Sequence, residues 1–287
     1  MTASLASPLL ETHQIERWHR RGLWGRHVAL QGVSCSFQRG VVNALLGENG
    51  AGKTTLIRVL LGQLRSHGGE VRWVPKAPTC RYLPEDGFLS PFLPATPWAN
   101  ALGASKAELE SMARSLGVEG LLERPARTLS KGERRRVELA LVLAAPVELY
   151  VLDEPTSGLD PRHLEDLKKV VRSLVAKGST VVLSTHLLRE WEDSVDVVVL
   201  LHRGRVVRQG ALSYLLAPYR LWVPTAANPS TLPPEAFPLT GRALAPVELE
   251  PPPGWAAQPA SLADLFLKET ADASEDPRPL VPLDSRS

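Results

Sequence analysis

The stretch Gly47-Glu48-Asn49-Gly50-Ala51-Gly52-Lys53-Thr54-Thr55 constrains this chain more than any other part of it. An apolar run, Val41 to Leu46, precedes it, and Leu56, Ile57, Val59, Leu60 and Leu61 follow at helical spacing. That pattern predicts a strand, a loop and a helix in that order. Gly47, Gly50 and Gly52 let the backbone curl so that successive N–H groups face an anion at the positive end of the helix. The Lys53 ammonium would then reach the β- and γ-phosphates of a nucleotide, and the Thr54 hydroxyl would hold Mg²⁺.

Composition narrows what such a core can serve. The net charge of +2 comes from 33 basic and 31 acidic residues, which gives no support to a nucleic-acid binder relying on bulk charge. The two cysteines, Cys35 and Cys80, have no C-x-x-C spacing and fit a reducing compartment, with neither a disulfide framework nor a zinc site. Met1 to Leu10 lacks a basic region followed by a long apolar one, so no secretory signal is expected. The longest apolar runs, Leu139 to Ala145 and Val197 to Leu201, fall far short of the roughly 20 residues a membrane-spanning helix needs. A soluble, intracellular chain is expected, with any membrane role exercised through a partner.

Taken in order, Leu9 to Trp18 and Val28 to Phe37 predict two strands joined by a turn, and Val41 to Leu46 a strand buried on both faces. A helix from Gly52 to Leu64 leads to a turn at Gly68-Gly69 and short strands at Glu70 to Val74 and Arg81 to Leu83. Prolines dominate Phe88 to Pro97; Trp98 to Gly117 and Val118 to Glu123 then predict helices, so a helical insert, about residues 88–131, interrupts the sheet. Helices are expected at Gly132 to Ala145 and Pro161 to Ala176, and strands at Leu149 to Leu152, Thr180 to Ser184 and Val195 to Leu201. Strands alternating with helices imply a mostly parallel sheet covered on both faces, an α/β fold with a small antiparallel β subdomain.

Beyond Gly210 the composition shifts, with more than half of the chain's 25 prolines from Pro218 onward. Apolar runs persist at Tyr219 to Val223, Ala243 to Leu249 and Leu262 to Leu267. The expected division is therefore a larger α/β domain over 1–216, a small Pro-rich appendage over 217–270 closed by a helix from Ser261 to Thr270, and a disordered tail over 271–287. A wholly disordered segment beyond 216 is the alternative.

A second apolar strand ends in acids, Leu149-Tyr150-Val151-Leu152-Asp153-Glu154. Adjacent carboxylates at a buried strand end are costly unless they meet a cation or a water. Beside a phosphate loop, Asp153 is assigned to magnesium and Glu154 to the attacking water.

At this point the chain resembles the ATP-binding-cassette (ABC) ATPases. The glycine loop, Leu129-Ser130-Lys131-Gly132-Glu133, Asp153-Glu154-Pro155-Thr156, Ser157-Gly158-Leu159-Asp160 and Ser184-Thr185-His186 follow one another in that family's order, over roughly Leu9 to Leu216. The resemblance implies a P-loop NTPase core that binds ATP with Mg²⁺. It makes Gly47 to Thr54 the phosphate loop, Asp153 the magnesium carboxylate and Glu154 the catalytic base. Leu129 to Glu133 resembles the signature segment, in which Ser130 and the Gly132 backbone would touch ATP bound to a second subunit. Lys131 and Glu133 depart from the commonest form of that segment, which has glycine and glutamine there. Asp160 resembles the aspartate linking the two sites across a dimer, and His186 the residue that holds the γ-phosphate and its water.

Further positions follow from the same resemblance. Trp24, ahead of Ala29-Leu30, sits where the family stacks an aromatic on adenine, its alternative being an ordinary tryptophan. Glu85, after Leu83-Pro84, stands where a glutamine usually touches Mg²⁺ and couples to the membrane subunit, its alternative being a plain turn acid. Arg134, Arg135 and Arg136 start a helix with an apolar opposite face and are expected on a solvated face, with no direct nucleic-acid contact. Ser261-Leu262-Ala263-Asp264-Leu265-Phe266-Leu267 is similar to the run closing many exporter ATPase subunits. The family likeness thus implies an ATP-hydrolysing subunit that powers export through a separate permease. It would work as an ATP-clamped homodimer, peripheral on the inner face of the cell membrane. The alternative is a soluble, non-transport ABC ATPase acting on ribosomes or DNA.

Overall fold

Alternating apolar residues on either side of Arg20-Arg21 make two long antiparallel strands, β1 (Pro8–Arg21) and β2 (Gly25–Gln38), with His19 opposite His27. The computed structural model describes residues 7–21, 25–225 and 230–275. The chain divides into two units, Met1–Leu215 and Leu216–Ser287.

In the first unit β3 (Val42–Leu46) is buried at all five positions, as its unbroken apolar run requires. Helix α1 (Lys53–Leu60) follows the glycine loop and buries Leu56, Ile57, Val59 and Leu60. Strand β4 (Gly68–Trp73) pairs with β1 and completes a three-stranded antiparallel sheet in the order β2-β1-β4. After β5 (Cys80–Leu83) come α2 (Thr96–Ala101), α3 (Lys106–Ser115), and short 3-10 turns at Glu119–Leu121 and Ala126–Thr128. The insert then passes into α4 (Lys131–Ala144), β6 (Leu149–Asp153) and α5 (Pro161–Ala176). Next come β7 (Thr180–Thr185), α6 (Leu188–Trp191), β8 (Val197–His202), β9 (Arg205–Ala211) and α7 (Leu212–Leu216).

These strands form a six-stranded sheet in the order β5-β6-β7-β3-β8-β9, parallel throughout except for β9. Strands β3, β6, β7 and β8 are buried along their whole length. The register sets Leu46 beside Thr185 and Asp153 beside Ser184, so the carboxyl ends of β3, β6 and β7 finish side by side. Ligands of open parallel sheets gather at such ends.

Two expected helices need correction, and one strand was not expected. The single helix expected over Trp98 to Gly117 is two, because the chain turns between α2 and α3 with Gly103 at φ 67°. Val118 to Glu123 yields only the 3-10 turn at Glu119–Leu121, since six residues containing Gly120 cannot meet the cost of nucleating a helix. Strand β9, whose inward residues are few and separated by arginines, is not among the expected elements.

The second unit is a four-stranded antiparallel sheet, ordered β11-β12-β10-β13, from β10 (Tyr219–Pro224), β11 (Phe237–Leu239), β12 (Arg242–Pro246) and β13 (Trp255–Pro259). Trp222 is fully buried among Ala236, Ala243 and Ala245, with Leu232, Leu249 and Trp255 packed around them. Helix α8 (Leu262–Glu275) buries Leu262, Leu265 and Phe266, and its buried Asp264 lies 2.9 Å from Arg242. The helix thus runs through residues 271–275, where disorder is expected, because no proline or glycine interrupts Ala271-Asp272-Ala273-Ser274-Glu275. Residues 276–287 of the expected tail lie outside the described residues.

Candidate functional site

The site begins where β3 ends. Gly52 caps α1 at φ 107°, a left-handed conformation, and a Cβ there would stand 2.5 Å from the Ala29 carbonyl. Only glycine meets both demands. No side chain caps this helix and no acid lies in its first turn, so its N–H groups open into a cavity of about 260 Å³. Asn49, Gly50, Gly52, Lys53, Thr54 and Thr55 line that cavity together with Glu85 and Glu154. Ala51 instead packs in the core beneath the loop.

Lys53 is buried, and its Nζ donates to the carbonyls of Gly47 (2.8 Å) and Glu48 (3.2 Å) while standing 3.1 Å from Glu154 Oε1. Glu154 Oε2 in turn lies 2.9 Å from His186 Nδ1. Lys53, Glu154 and His186 thus form one chain of polar contacts bridging the ends of β3, β6 and β7. Glu154 sits at φ 46°, unusual for a residue with a side chain, and its N–H donates to Ser184 Oγ at 3.0 Å. Beside it Asp153 is fully enclosed; the Ser184 hydroxyl donates to Oδ1, and the Tyr82 hydroxyl to Oδ2 at 3.4 Å. Burial, reinforced by Asp153, pushes the Tyr82 phenol up to about 12, so it remains a donor to that carboxylate at neutral pH.

The donors here fit a nucleotide with a divalent ion. Thr54, Glu85 and Glu154 line the cavity and offer hard oxygen ligands of the kind Mg²⁺ takes, while the Asp153 carboxyl is not among the lining residues and is enclosed behind them with Ser184 and Tyr82 on its oxygens. Among the described residues no three His, Cys, Asp or Glu side chains converge to hold a metal unaided. An ion here needs phosphate oxygens as well, which is how Mg²⁺ binds with ATP.

A second group of the expected residues lies outside this cavity. Ser130 is exposed and caps α4: its Oγ accepts from Glu133 N–H at 3.2 Å, while Glu133 Oε2 accepts from Ser130 N–H at 2.8 Å. The bond from the Ser130 N–H, with help from the Ser130 hydroxyl, holds the Glu133 carboxyl below its ordinary value. Gly132 packs so closely on the next loop that a Cβ would stand 2.6 Å from the Gly158 carbonyl, and the Lys131 stem lies over Gly158 itself. Asp160 caps α5, accepting from His163 N–H at 3.1 Å, and its other oxygen is 2.7 Å from His163 Nδ1. The backbone bond from His163 holds the Asp160 carboxyl below its ordinary value.

Trp24, expected at the adenine, lies outside the described residues. From the β1–β2 hairpin, His19 and His27, paired across the strands, line the cavity together with Ala29. Burial and the neighbouring Arg17 hold His19 below its ordinary value, so it is neutral at physiological pH. Trp18 points elsewhere, stacked on His67 with ring centroids 4.0 Å apart and with the Arg26 guanidinium 4.2 Å from its ring. The alternation of strand residues tells that Trp18 and His19 face opposite ways, but only the register pairs His19 with His27.

The solvated arginine face is also corrected. Arg135 is 4% exposed, with its guanidinium turned onto backbone carbonyls; Arg134 donates to the Leu89 carbonyl and to Glu138, and Arg136 to the carbonyls of Leu116 and Gly117. Helical phase explains Arg135, which shares a face with Glu138, Leu139 and Val142.

A sequence model of the ABC transporter family matches residues 30–157. The chain is 32% identical over 237 residues to an ABC transporter ATP-binding protein of Nostoc sp., covering 75% of this chain and 70% of the relative. It is 33% identical over 227 residues to another from Synechocystis sp., covering 72% of this chain and 64% of that relative's length. The lantibiotic transport ATP-binding protein SrtF of Streptococcus pyogenes is 28% identical over 194 residues, 64% of this chain and 85% of that one. Among solved structures, an ATP-binding subunit of an ABC transporter superposes with TM-score 0.63 at 29% identity, over 73% of this chain and 92% of the other. A bacterial ABC transporter cassette solved as a dimer superposes with TM-score 0.64 at 20% identity, over 71% and 98%.

Proposed function

The chain belongs to the ABC transporter family as one of its ATP-binding, ATP-hydrolysing subunits, and from that membership we propose that it closes with a second copy around ATP and drives export through a separate membrane permease. The observation that carries this reading is the chain of contacts Lys53, Glu154 and His186 at three adjacent strand ends, with Lys53 and Glu154 lining the open glycine cradle.

In this reading the N–H groups of residues 47–54 and the Lys53 ammonium take the phosphates of ATP. An incoming phosphate draws Lys53 away from the Gly47 and Glu48 carbonyls that it now satisfies. Glu154, fixed by Ser184 through its backbone, accepts the proton of the attacking water, and His186 holds that water in line with the γ-phosphate. Thr54, Asp153 and Glu85 would hold Mg²⁺ together with phosphate oxygens, and the ion would supply charge neutralisation at the phosphates. Tyr82 and Ser184 keep the Asp153 carboxylate oriented for that role.

Each chain has one phosphate loop and one signature segment, so two complete sites need two copies. Ser130, the Gly132 backbone and Asp160 would face the second copy's ATP, and the exposure of Ser130 at the start of α4 is what such a contact requires. A similar cassette solved as a dimer and a relative named for lantibiotic transport are in keeping with the homodimer and with a transport role. Among the described residues no helix is long and apolar enough to cross a membrane. As the ATPase partner of a permease, the subunit would sit in the cytoplasm, peripheral on the inner face of the membrane. The turn carrying Glu85 adjoins a groove of about 320 Å³ lined by Arg81, Phe88 and Leu102, in which Arg81 Nε and Nη1 are buried without a partner. That groove and the insert are the surface for the permease. Residues 1–216 form the motor in this reading, and 217–270 a separate appendage.

The test is Glu154→Gln. It should bind ATP, accumulate as an ATP-trapped dimer on size-exclusion chromatography and lose at least about 10²-fold in turnover. Hydrolysis at the wild-type rate would show that another group is the base.

A further inference from the structure

Arg135 ties together three parts of the proposed machine. Its Nη1 donates to the Pro84 carbonyl at 2.7 Å, its Nη2 to the carbonyls of Asp153 at 2.5 Å and Glu154 at 2.9 Å, and its Nε to that of Pro155 at 3.4 Å. Glu138 Oε2 stands 3.8 Å away as its counter-charge. The neighbouring groups extend the grip: Glu138 Oε1 accepts from the N–H groups of Phe88 (3.1 Å) and Leu89 (3.2 Å), and Arg134 donates to the Leu89 carbonyl at 2.7 Å. Residues 84–89 and 153–155 are therefore both held from α4, the helix that Ser130 caps.

A buried guanidinium that serves packing alone is an expensive choice, since an apolar side chain of similar volume would avoid the desolvation penalty. What a guanidinium adds is several donors in one rigid fork, able to fix several carbonyls relative to one another. The Glu154 peptide is gripped from both sides, its N–H by Ser184 and its carbonyl by Arg135, and this residue holds the left-handed conformation noted above. Such a conformation persists where the surroundings over-determine it.

We propose that Arg135 is a positioning residue for ATP hydrolysis: it sets the backbone of Asp153 and Glu154 relative to α4 and the Pro84 turn, so that engagement of Ser130 by a second subunit and of Glu85 by a permease both reach the base. The proposal rests on the reading of Glu154 as that base. It assigns Arg135 no contact with nucleotide. Its loss should therefore spare ATP binding and damage turnover, whereas a merely structural arginine would weaken folding, binding and turnover together.

The experiment uses the full chain and the variant Arg135→Gln, which is neutral and too short to span the same carbonyls. The readouts are equilibrium binding of a fluorescent ATP analogue, kcat with MgATP, and the thermal midpoint. We expect affinity within about 3-fold of wild type and kcat reduced about 10- to 100-fold, the scale on which small misplacements of reacting groups act. A kcat within 3-fold of wild type overturns the proposal, and so does a parallel loss of affinity, kcat and thermal midpoint. Should Arg135→Gln not fold, Arg135→Lys, which keeps the charge without the fork, is scored by the same rule. Glu154→Gln in parallel separates the two failures: if that variant turns over like wild type, the base assignment falls and this proposal with it. If it is inactive and Arg135→Gln is not, only the role of Arg135 falls.

Discussion

Helices α3 and α4 begin with nearly the same four residues, Ser105-Lys106-Ala107-Glu108 and Ser130-Lys131-Gly132-Glu133. Both starts fold into the same reciprocal cap. Glu108 accepts from Ser105 N–H at 2.7 Å and Glu133 from Ser130 N–H at 2.8 Å, and in each the serine accepts from the glutamate N–H at 3.2 Å. The single difference is Ala107 against Gly132. At Gly132 the backbone touches the Gly158 carbonyl, an approach a methyl group would block, and the loop carrying Asp160 is held against the start of α4. Capping geometry thus marks a helix start in both places and a functional start in neither. What separates them is the glycine and what it lets approach. Helix α1 is the third case: Gly52 leaves its N–H groups without any side-chain cap, so they are available to an anion from outside.

The contrast between α1 and the two capped helices predicts the largest effect. Lys53→Ala removes the cation that the open start of α1 aims at phosphate, and should lower kcat/KM for MgATP by at least about 10²-fold in a phosphate-release assay. The same truncation at the corresponding first-turn lysine of α3, Lys106→Ala, should leave kcat/KM unchanged, because Lys106 is exposed and its Nζ is 3.8 Å from Glu110. A wild-type rate for Lys53→Ala would erase the distinction between an open and a closed helix start.

Gly132→Ala converts the start of α4 into that of α3. The added methyl group would stand 2.6 Å from the Gly158 carbonyl, so the two loops must part. ATP binding by a single subunit should survive, since the α1 cradle is untouched. In the Glu154→Gln background the ATP-trapped dimer should weaken about 10-fold, measured by sedimentation velocity, on the scale expected when a tightly packed contact is forced open. The reverse exchange, Ala107→Gly, should cost at most about 1 kcal/mol of stability and leave the dimer alone.

Which of these features could be read without coordinates follows from their physics. The strands β3, β6, β7 and β8 were legible because burial on both faces demands unbroken apolar runs, and Asp153-Glu154 was legible because paired acids at such a strand end need a purpose. Helix α5 has its expected bounds, Pro161–Ala176, because Asp160 and Pro161 together fix its start. Arg135 was misread because charge was weighed ahead of helical phase, and phase puts it with Leu139 and Val142. His19 and His27 were missed because a cross-strand pair depends on register, which the irregular pairing of β1 with β2 hides from the sequence. The exchange of Gly for Ala between the two caps was visible throughout, but its meaning depended on Gly158, 26 residues away in the chain.

The smallest expected effect lies in the charge of the caps. The bonds from the serine N–H and hydroxyl groups hold both Glu108 and Glu133 below the ordinary carboxylate value. The sign follows from linkage: each cap contributes stability that is present above the unfolded-state pKa and is lost as pH falls through the lower folded value. At neutral pH both caps are therefore fully formed. At α4 the capped carboxylate occupies the N–H group beside which a second subunit's γ-phosphate would arrive, so closing the dimer means displacing Glu133 against like charge. Glu133→Gln keeps an acceptor for Ser130 N–H and removes the repulsion, and should tighten the ATP-trapped dimer by about 2- to 5-fold, an effect shrinking with added salt. Glu108→Gln makes the same change where no phosphate comes, and should alter neither dimer affinity nor its salt dependence. If the two substitutions act alike on the dimer, the start of α4 is not where the nucleotide of a second copy binds.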